Sequence, residues 1–249
     1  MLATTTSVDA TGLLDVLADA FKKDSGVTLK WIAVGTGAAL KQARDGNADV
    51  VIVHARKLED EFLRDGYGVN RRVIARNYFM IVGPPDDPAR VAGAASAAEA
   101  LRRIRSSGAP FASRGDRSGT HTRELELWSA TGGRPEKAYL ETGQGMAETL
   151  RVAAERRAYT LTDTATFYAL HGLEGLVPLF EGSADLENIY AVIAVSPFHV
   201  PSARYGEAMA FIAFLTSPRG QAAIGGFKGQ AGRPLFEPLA SVAGVDLVK

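Results

Sequence analysis

Residues 49–54 read Asp49-Val50-Val51-Ile52-Val53-His54. Four successive β-branched residues between polar ends mark a short strand covered on both faces, as in a parallel sheet flanked by helices. The pattern around this stretch agrees. A helix is expected over residues 38–45 and a strand over 27–34, and a short helix follows at 59–64. Nearer the start, 2–6 suits a first strand. Leu13, Leu14, Val16, Leu17, Ala20 and Phe21 then recur at helical spacing. Residues 72–82 read as a long strand, stopped by Gly83-Pro84-Pro85-Asp86-Asp87-Pro88, the strongest boundary signal in the chain.

The same alternation resumes beyond that cluster. Helices are expected at 95–105, 120–130 and 146–156, with strands at 111–113 and 159–162. A short helix should start at 168–170. Asn188-Ile189-Tyr190-Ala191-Val192-Ile193-Ala194-Val195 is a strong strand, and two helical stretches, 203–215 and 219–225, close the chain. The fold class is therefore α/β in two lobes, with mixed sheets flanked by helices. Residues 1–83 open lobe one, 84–187 form lobe two, and 188–249 return to lobe one. Two crossings make a hinge, with a ligand cleft expected between the lobes.

Composition narrows the function. The chain has 249 residues, 46% of them hydrophobic, so it folds without staples. Twenty-eight basic residues balance 28 acidic ones. That neutrality argues against a nucleic-acid or polybasic membrane partner. With no cysteine, thiolate metal sites, cysteine nucleophiles and iron–sulfur clusters are excluded. No apolar run approaches the ~20 residues of a membrane span. The opening Met1-Leu2-Ala3-Thr4-Thr5-Thr6 reads as a folded strand rather than a leader.

One junction recurs: a strand end, then Thr, Ser and Gly, then a helix. It appears at Thr4-Thr5-Thr6-Ser7, at Gly35-Thr36-Gly37, and at Ser113-Arg114-Gly115-Asp116-Arg117-Ser118-Gly119-Thr120, with a looser version at Thr160-Leu161-Thr162-Asp163-Thr164. Ligands of open α/β sheets sit beyond the strand carboxyl ends, where helix N-termini present free N–H groups to anions. Any one such junction is an ordinary helix cap. Several together, one carrying an arginine, describe a cradle of neutral donors. Arg114 offers a planar fork suited to oxyanions. Asp116, two residues on, is placed to orient it.

Arg114-Gly115-Asp116-Arg117-Ser118-Gly119-Thr120 resembles the anion-binding segment of class II periplasmic-type solute-binding proteins. The whole chain is most similar to the tungstate-binding proteins of ABC-type uptake systems. Thr4–Ser7, Val34-Gly35-Thr36-Gly37, Asp49–Ala55, Ser113–Thr120 with Glu124, Gly143-Gln144-Gly145-Met146 and Ala158–Asp163 carry the likeness, which runs to about residue 170. The resemblance implies an extracytoplasmic receptor, its leader removed, that delivers tungstate to a membrane permease. It implies no enzyme activity and no cofactor, and a monomer is expected. Carried over by position, Ser7 and Thr36 donate from lobe one, and Arg114, Ser118, Gly119 and Thr120 from lobe two. Thr6, Gly37 and Ala38 are secondary candidates through their backbone, and His54 through its ring.

The chemistry fits that reading. Tungstate and molybdate are unprotonated dianions near neutral pH, so they accept hydrogen bonds and donate none. A phosphate receptor would be expected to carry an acid after the third strand, where this chain has His54. A molybdate or phosphate receptor of the same fold, or a cytoplasmic oxyanion sensor, is the alternative. An enzyme of this fold such as porphobilinogen deaminase needs a cysteine-linked cofactor, which the chain cannot hold. Ser118 and His121 do not form a Gly-x-Ser-x-Gly elbow. Histidines 54, 121, 171 and 199 lack metal-ligand spacing. The Arg-Gly-Asp tripeptide lies between strand and helix rather than on a loop tip.

Overall fold

The computed structural model describes residues 1–170, 173–229 and 232–240. It divides into two compact units. Unit 1 comprises Met1–Arg76 with the chain from Ile189 on, and unit 2 is Asn77–Asn188.

In unit 1, β1 (Leu2–Thr5) lies between β2 (Trp31–Val34) and β3 (Val50–Val53), parallel to both. β9 (Glu187–Val195) joins β3 antiparallel, followed by β4 (Gly68–Gly83) and β10 (Glu237–Pro238). All four residues of β3 are buried, as its apolar run requires. On one face Val51, Val53, Ile193 and Val195 pack with Ala39, Leu40 and Ala43 of α3 (Thr36–Arg44) and Phe62 of α4 (Arg56–Arg64). Leu13, Leu14, Leu17 and Phe21 of α2 (Leu13–Ser25) are buried, and Phe21 meets Phe211 edge-on at 5.0 Å in α9 (Tyr205–Thr216). A fully buried side chain of this size contributes about 1.5–3 kcal/mol.

Each parallel strand of unit 1 runs into a helix, so three strand ends stand side by side. Thr5 takes an extended conformation and its Oγ1 accepts from Val8 N, which starts α1 (Thr6–Ala10) at Thr6, expected as the last strand residue. Gly12, at φ 81°, breaks α1 from α2. Residues 27–30 are not strand, because Gly26 terminates α2 in the left-handed region and pairing begins only at Trp31. Val16, on the expected apolar stripe, is exposed.

In unit 2, β4 alternates with period two. Phe79 and Ile81 pack with Leu101 and Ile104 of α5 (Ala97–Ser107), Phe111 of β5 (Phe111–Ser113) and Trp128 of α6 (Gly119–Ser129). Met80 and Val82 pack with Ala112, and with Met146 and Leu150 of α7 (Met146–Glu155). β7 (Thr160–Asp163) and β8 (Val177–Phe180) pair antiparallel to β4, and β6 (Tyr139–Glu141) pairs parallel to β5.

α8 spans Thr164–Ala169, ending near where the sequence pattern had it begin. The cause is Asp163, which caps it by accepting from Thr166 N at 2.9 Å. The closing helices are α9 and α10 (Pro218–Gly226), divided at Ser217, whose hydroxyl accepts from Gly220 N. The chain changes unit within β4, between Arg76 and Asn77, and within β9, between Asn188 and Ile189. Asn188 donates to Asn77 Oδ1 at 2.7 Å, and Asn77 donates to Asp163 Oδ1 at 3.0 Å. Among the described residues, no helix is long and apolar enough to cross a membrane.

Candidate functional site

Unit 1 gathers its candidates at the ends of β1, β2 and β3. Thr36 is the first residue of α3 and is wholly buried. Its Oγ1 has no hydrogen-bond partner among the described residues. No side chain caps α3 either, because Gly35 holds the N-cap position. The N-terminal N–H groups of a helix need an acceptor, and here the N-cap brings none. Ser7 is buried, with its Oγ 3.0 Å from Thr5 Oγ1 and 3.4 Å from His54 Nε2. The His54 ring lies 4.9 Å from that of Tyr190. Thr6 is half-buried, and Gly37 and Ala38 are exposed on the first turn of α3.

Unit 2 places its candidates on one loop between β5 and α6. The side chain of Arg114 is only 2% exposed. Its Nε donates to Asp116 Oδ2 at 3.1 Å and to the Gln144 carbonyl at 3.0 Å, and its Nη2 also donates to Asp116. Nη1 makes no hydrogen bond among the described residues, so part of the fork stays available to an acceptor. Ser118 caps α6 by accepting from His121 N at 3.2 Å, which leaves its own O–H free to donate. Gly119 and Thr120 form the first turn of α6, both buried, and Thr120 Oγ1 has no partner among the described residues.

The loop is held by its own side chains. Ser113 Oγ accepts from Gly115 N, Asp116 Oδ1 from Ser118 N, and His121 Nδ1 from Arg117 N. Such fixing lowers the ordering cost when a ligand arrives. Gly115 sits at φ 61°, and a Cβ there would lie 3.0 Å from Glu141 Cβ. Gly115→Ala is therefore expected to cost about 1–2 kcal/mol of stability from backbone strain, read by urea denaturation. An unchanged midpoint would contradict the strained geometry.

Beneath the loop lies Glu124, 1% exposed. Burial pushes its carboxyl up to about 7, against hydrogen bonds from the Tyr139 and Ser113 hydroxyls and the Arg114 backbone that favour the charged form. Burial likewise raises the Tyr139 phenol. A carboxyl with a raised folded pKa gives stability that is full below about 4.5 and lost as pH rises through about 7. Glu124→Gln should therefore match the wild type at pH 5. At pH 8 it should be more stable by on the order of 3 kcal/mol. Parallel pH dependence in the two proteins, by thermal melts, would show that Glu124 ionises normally.

His121, Gln144 and the Glu124–Tyr139 pair were not among the expected site residues. Gln144 contributes a carbonyl, which no side-chain pattern announces. His121 stands directly after Thr120, and its position in the first turn of α6 was the available signal. His171 lies outside the described residues. Among those described, no cluster of three or more His, Cys, Asp or Glu is arranged to hold a metal ion.

Two α/β units joined by two chain crossings, each with buried uncharged donors at strand ends, define a class: a solute-binding protein of the periplasmic-binding type. A family model described as the PBP superfamily domain matches residues 1–219. The tungstate-binding protein TupA of Campylobacter jejuni is 43% identical over 236 residues, covering 92% of this chain and 87% of that protein. The crystal structure of the tungstate ABC transporter from Geobacter sulfurreducens superposes with a TM-score of 0.83 at 50% identity, covering 90% of this chain and 96% of that one. The tungstate-binding protein TupA of Desulfovibrio alaskensis G20 does so at 0.82 and 44%, covering 96% and 98%. The chain belongs to the PBP superfamily, alongside these tungstate-binding relatives. By name those relatives are binding proteins and a transporter, not enzymes.

Proposed function

We propose that this chain captures tungstate outside the cytoplasm and presents it to the membrane permease of an ABC transporter. The relatives support the ligand, being named for tungstate at 43–50% identity. The observation that carries the reading to particular residues is a pair of buried hydroxyls without partners among the described residues, Thr36 Oγ1 in unit 1 and Thr120 Oγ1 in unit 2. Buried polar atoms are nearly always satisfied, and an orphan asks for a missing acceptor. In this reading Ser7 and Thr36, with Arg114, Ser118, Gly119 and Thr120, donate to one anion. Thr6, Gly37 and Ala38 assist through their N–H groups, His54 stays beside Ser7, and Asp116 orients Arg114.

The donor set suits a fully deprotonated dianion, which takes hydrogen bonds and returns none. Nanomolar affinity needs about 12 kcal/mol. Charge-assisted hydrogen bonds contribute about 1.5–3 kcal/mol each, so six or seven donors helped by Arg114 reach that range. Exclusion of water from around the bound anion would strengthen each bond. One monomer is expected to take one anion and to need no cofactor. Calorimetric titration with tungstate, molybdate, sulfate and phosphate tests this. The expected result is tight one-to-one binding of tungstate with sulfate and phosphate silent; silence from all four overturns it.

A further inference from the structure

His121 carries a buried ring nitrogen, Nε2, with no partner among the described residues. Its Nδ1 accepts from Arg117 N–H at 3.0 Å. A ring nitrogen that accepts bears no proton, so in the neutral imidazole the proton sits on Nε2. Nε2–H is then a donor only. It is fully buried and has no partner among the described residues, and the residue as a whole is 8% exposed. The ring lies in the first turn of α6, next to Thr120, whose hydroxyl is orphaned in the same way. We propose that His121 Nε2–H is a further donor to the oxyanion held by Arg114, Ser118 and Thr120, and that its fixed tautomer favours anions carrying no proton. This rests on the oxyanion reading above.

The electrostatic surroundings keep the ring in the required form. Burial lowers its pKa, and the Arg114 and Arg134 guanidiniums lower it further, against the carboxylates of Asp116 and Glu141. The neutral ring keeps one acceptor for the Arg117 N–H, whereas an imidazolium would set a proton against that group. Selectivity follows from the same tautomer. Hydrogen phosphate must place its own O–H against an acceptor, and Nε2–H offers none. Tungstate has no proton to place. The Ser118 hydroxyl, by contrast, can turn to donate or accept and does not discriminate in this way.

Two substitutions separate the ring nitrogens. His121→Asn keeps an acceptor near the Nδ1 position for the Arg117 N–H and removes the Nε2 donor. His121→Gln places an amide N–H near the Nε2 position and gives up the Nδ1 acceptor. With calorimetry on the full chain, His121→Asn is expected to weaken tungstate binding about 10- to 100-fold, the loss of one charge-assisted hydrogen bond. His121→Gln should bind severalfold more tightly than His121→Asn. Tungstate binding by His121→Asn within twofold of the wild type overturns the proposal. So does an equal loss in both variants, which would make His121 a loop support. Failure of wild-type binding would instead remove the oxyanion reading and this proposal with it. A long-range nitrogen–proton NMR spectrum of the wild-type ring needs no variant to fold. It should show the proton on Nε2, and a shift of that resonance on adding sodium tungstate; a proton on Nδ1, or no shift at saturation, overturns the proposal.

Discussion

Arg114→Ala is expected to weaken tungstate binding by about 30-fold to several thousandfold. Truncating one partner of a buried charge pair costs about 2–5 kcal/mol in recognition, much of it from the charge left behind. Here that charge is the Asp116 carboxylate, which Arg114 contacts through both Nε and Nη2. Without the guanidinium, a carboxylate and the Gln144 carbonyl would face an incoming dianion. The fold is expected to remain intact, because Asp116 retains 17% exposure and can recover water. Arg114→Ala combined with Asp116→Ala separates the two effects. It should regain stability lost by the single variant and still bind weakly. Calorimetry with melts in rising tungstate reads both quantities. A melting temperature for Arg114→Ala that climbs with tungstate as the wild type does would contradict the assignment.

Thr36→Val with Thr120→Val is expected to separate stability from binding. Valine has nearly the shape of threonine and lacks the hydroxyl. Each hydroxyl is buried without a partner among the described residues, a situation that costs about 1–3 kcal/mol. The ligand-free double variant should therefore be at least as stable as the wild type. Each hydroxyl deleted should cost about 1.5–3 kcal/mol of anion binding, so the pair loses about two to four orders of magnitude. A residue serving only the fold would behave in the opposite way, lowering the melting temperature and sparing affinity. Calorimetry and melts on the single and double variants decide between these outcomes. Ordinary binding in the double variant would remove both residues from the site.

Much of the fold was legible because its strands are short, apolar and bounded. β3 follows directly from four β-branched residues, and Phe111–Ser113 forms a strand over the whole of its expected range. Edge pieces were not legible. Tyr139–Glu141 is half-buried to exposed and has no apolar run, unlike the buried Phe111–Ser113, and Val177–Phe180 contains Pro178. Side-chain caps set helix starts that the pattern did not show: Thr5 caps a short α1 that begins at Thr6, a residue assigned to the first strand, and Asp163 starts α8 four residues before the pattern did. In the loop after β5, the chain shows the donor types but not which are spent internally. Asp116 is engaged by Arg114 and Ser118, and Ser118 Oγ by His121 N, while the Thr36 and Thr120 hydroxyls have no partner among the described residues. That distinction depends on a few ångströms of side-chain placement.

The proposed capture of tungstate rests on donation from Thr36, Thr120 and Arg114. Crystals of the tungstate-loaded protein, with an anomalous map at the tungsten absorption edge, test it most directly. The expected result is a tungsten position whose oxygens lie within hydrogen-bond reach of Thr36 Oγ1, Thr120 Oγ1 and the Arg114 guanidinium. A tungsten away from either hydroxyl, or separate peaks on each unit, would contradict it.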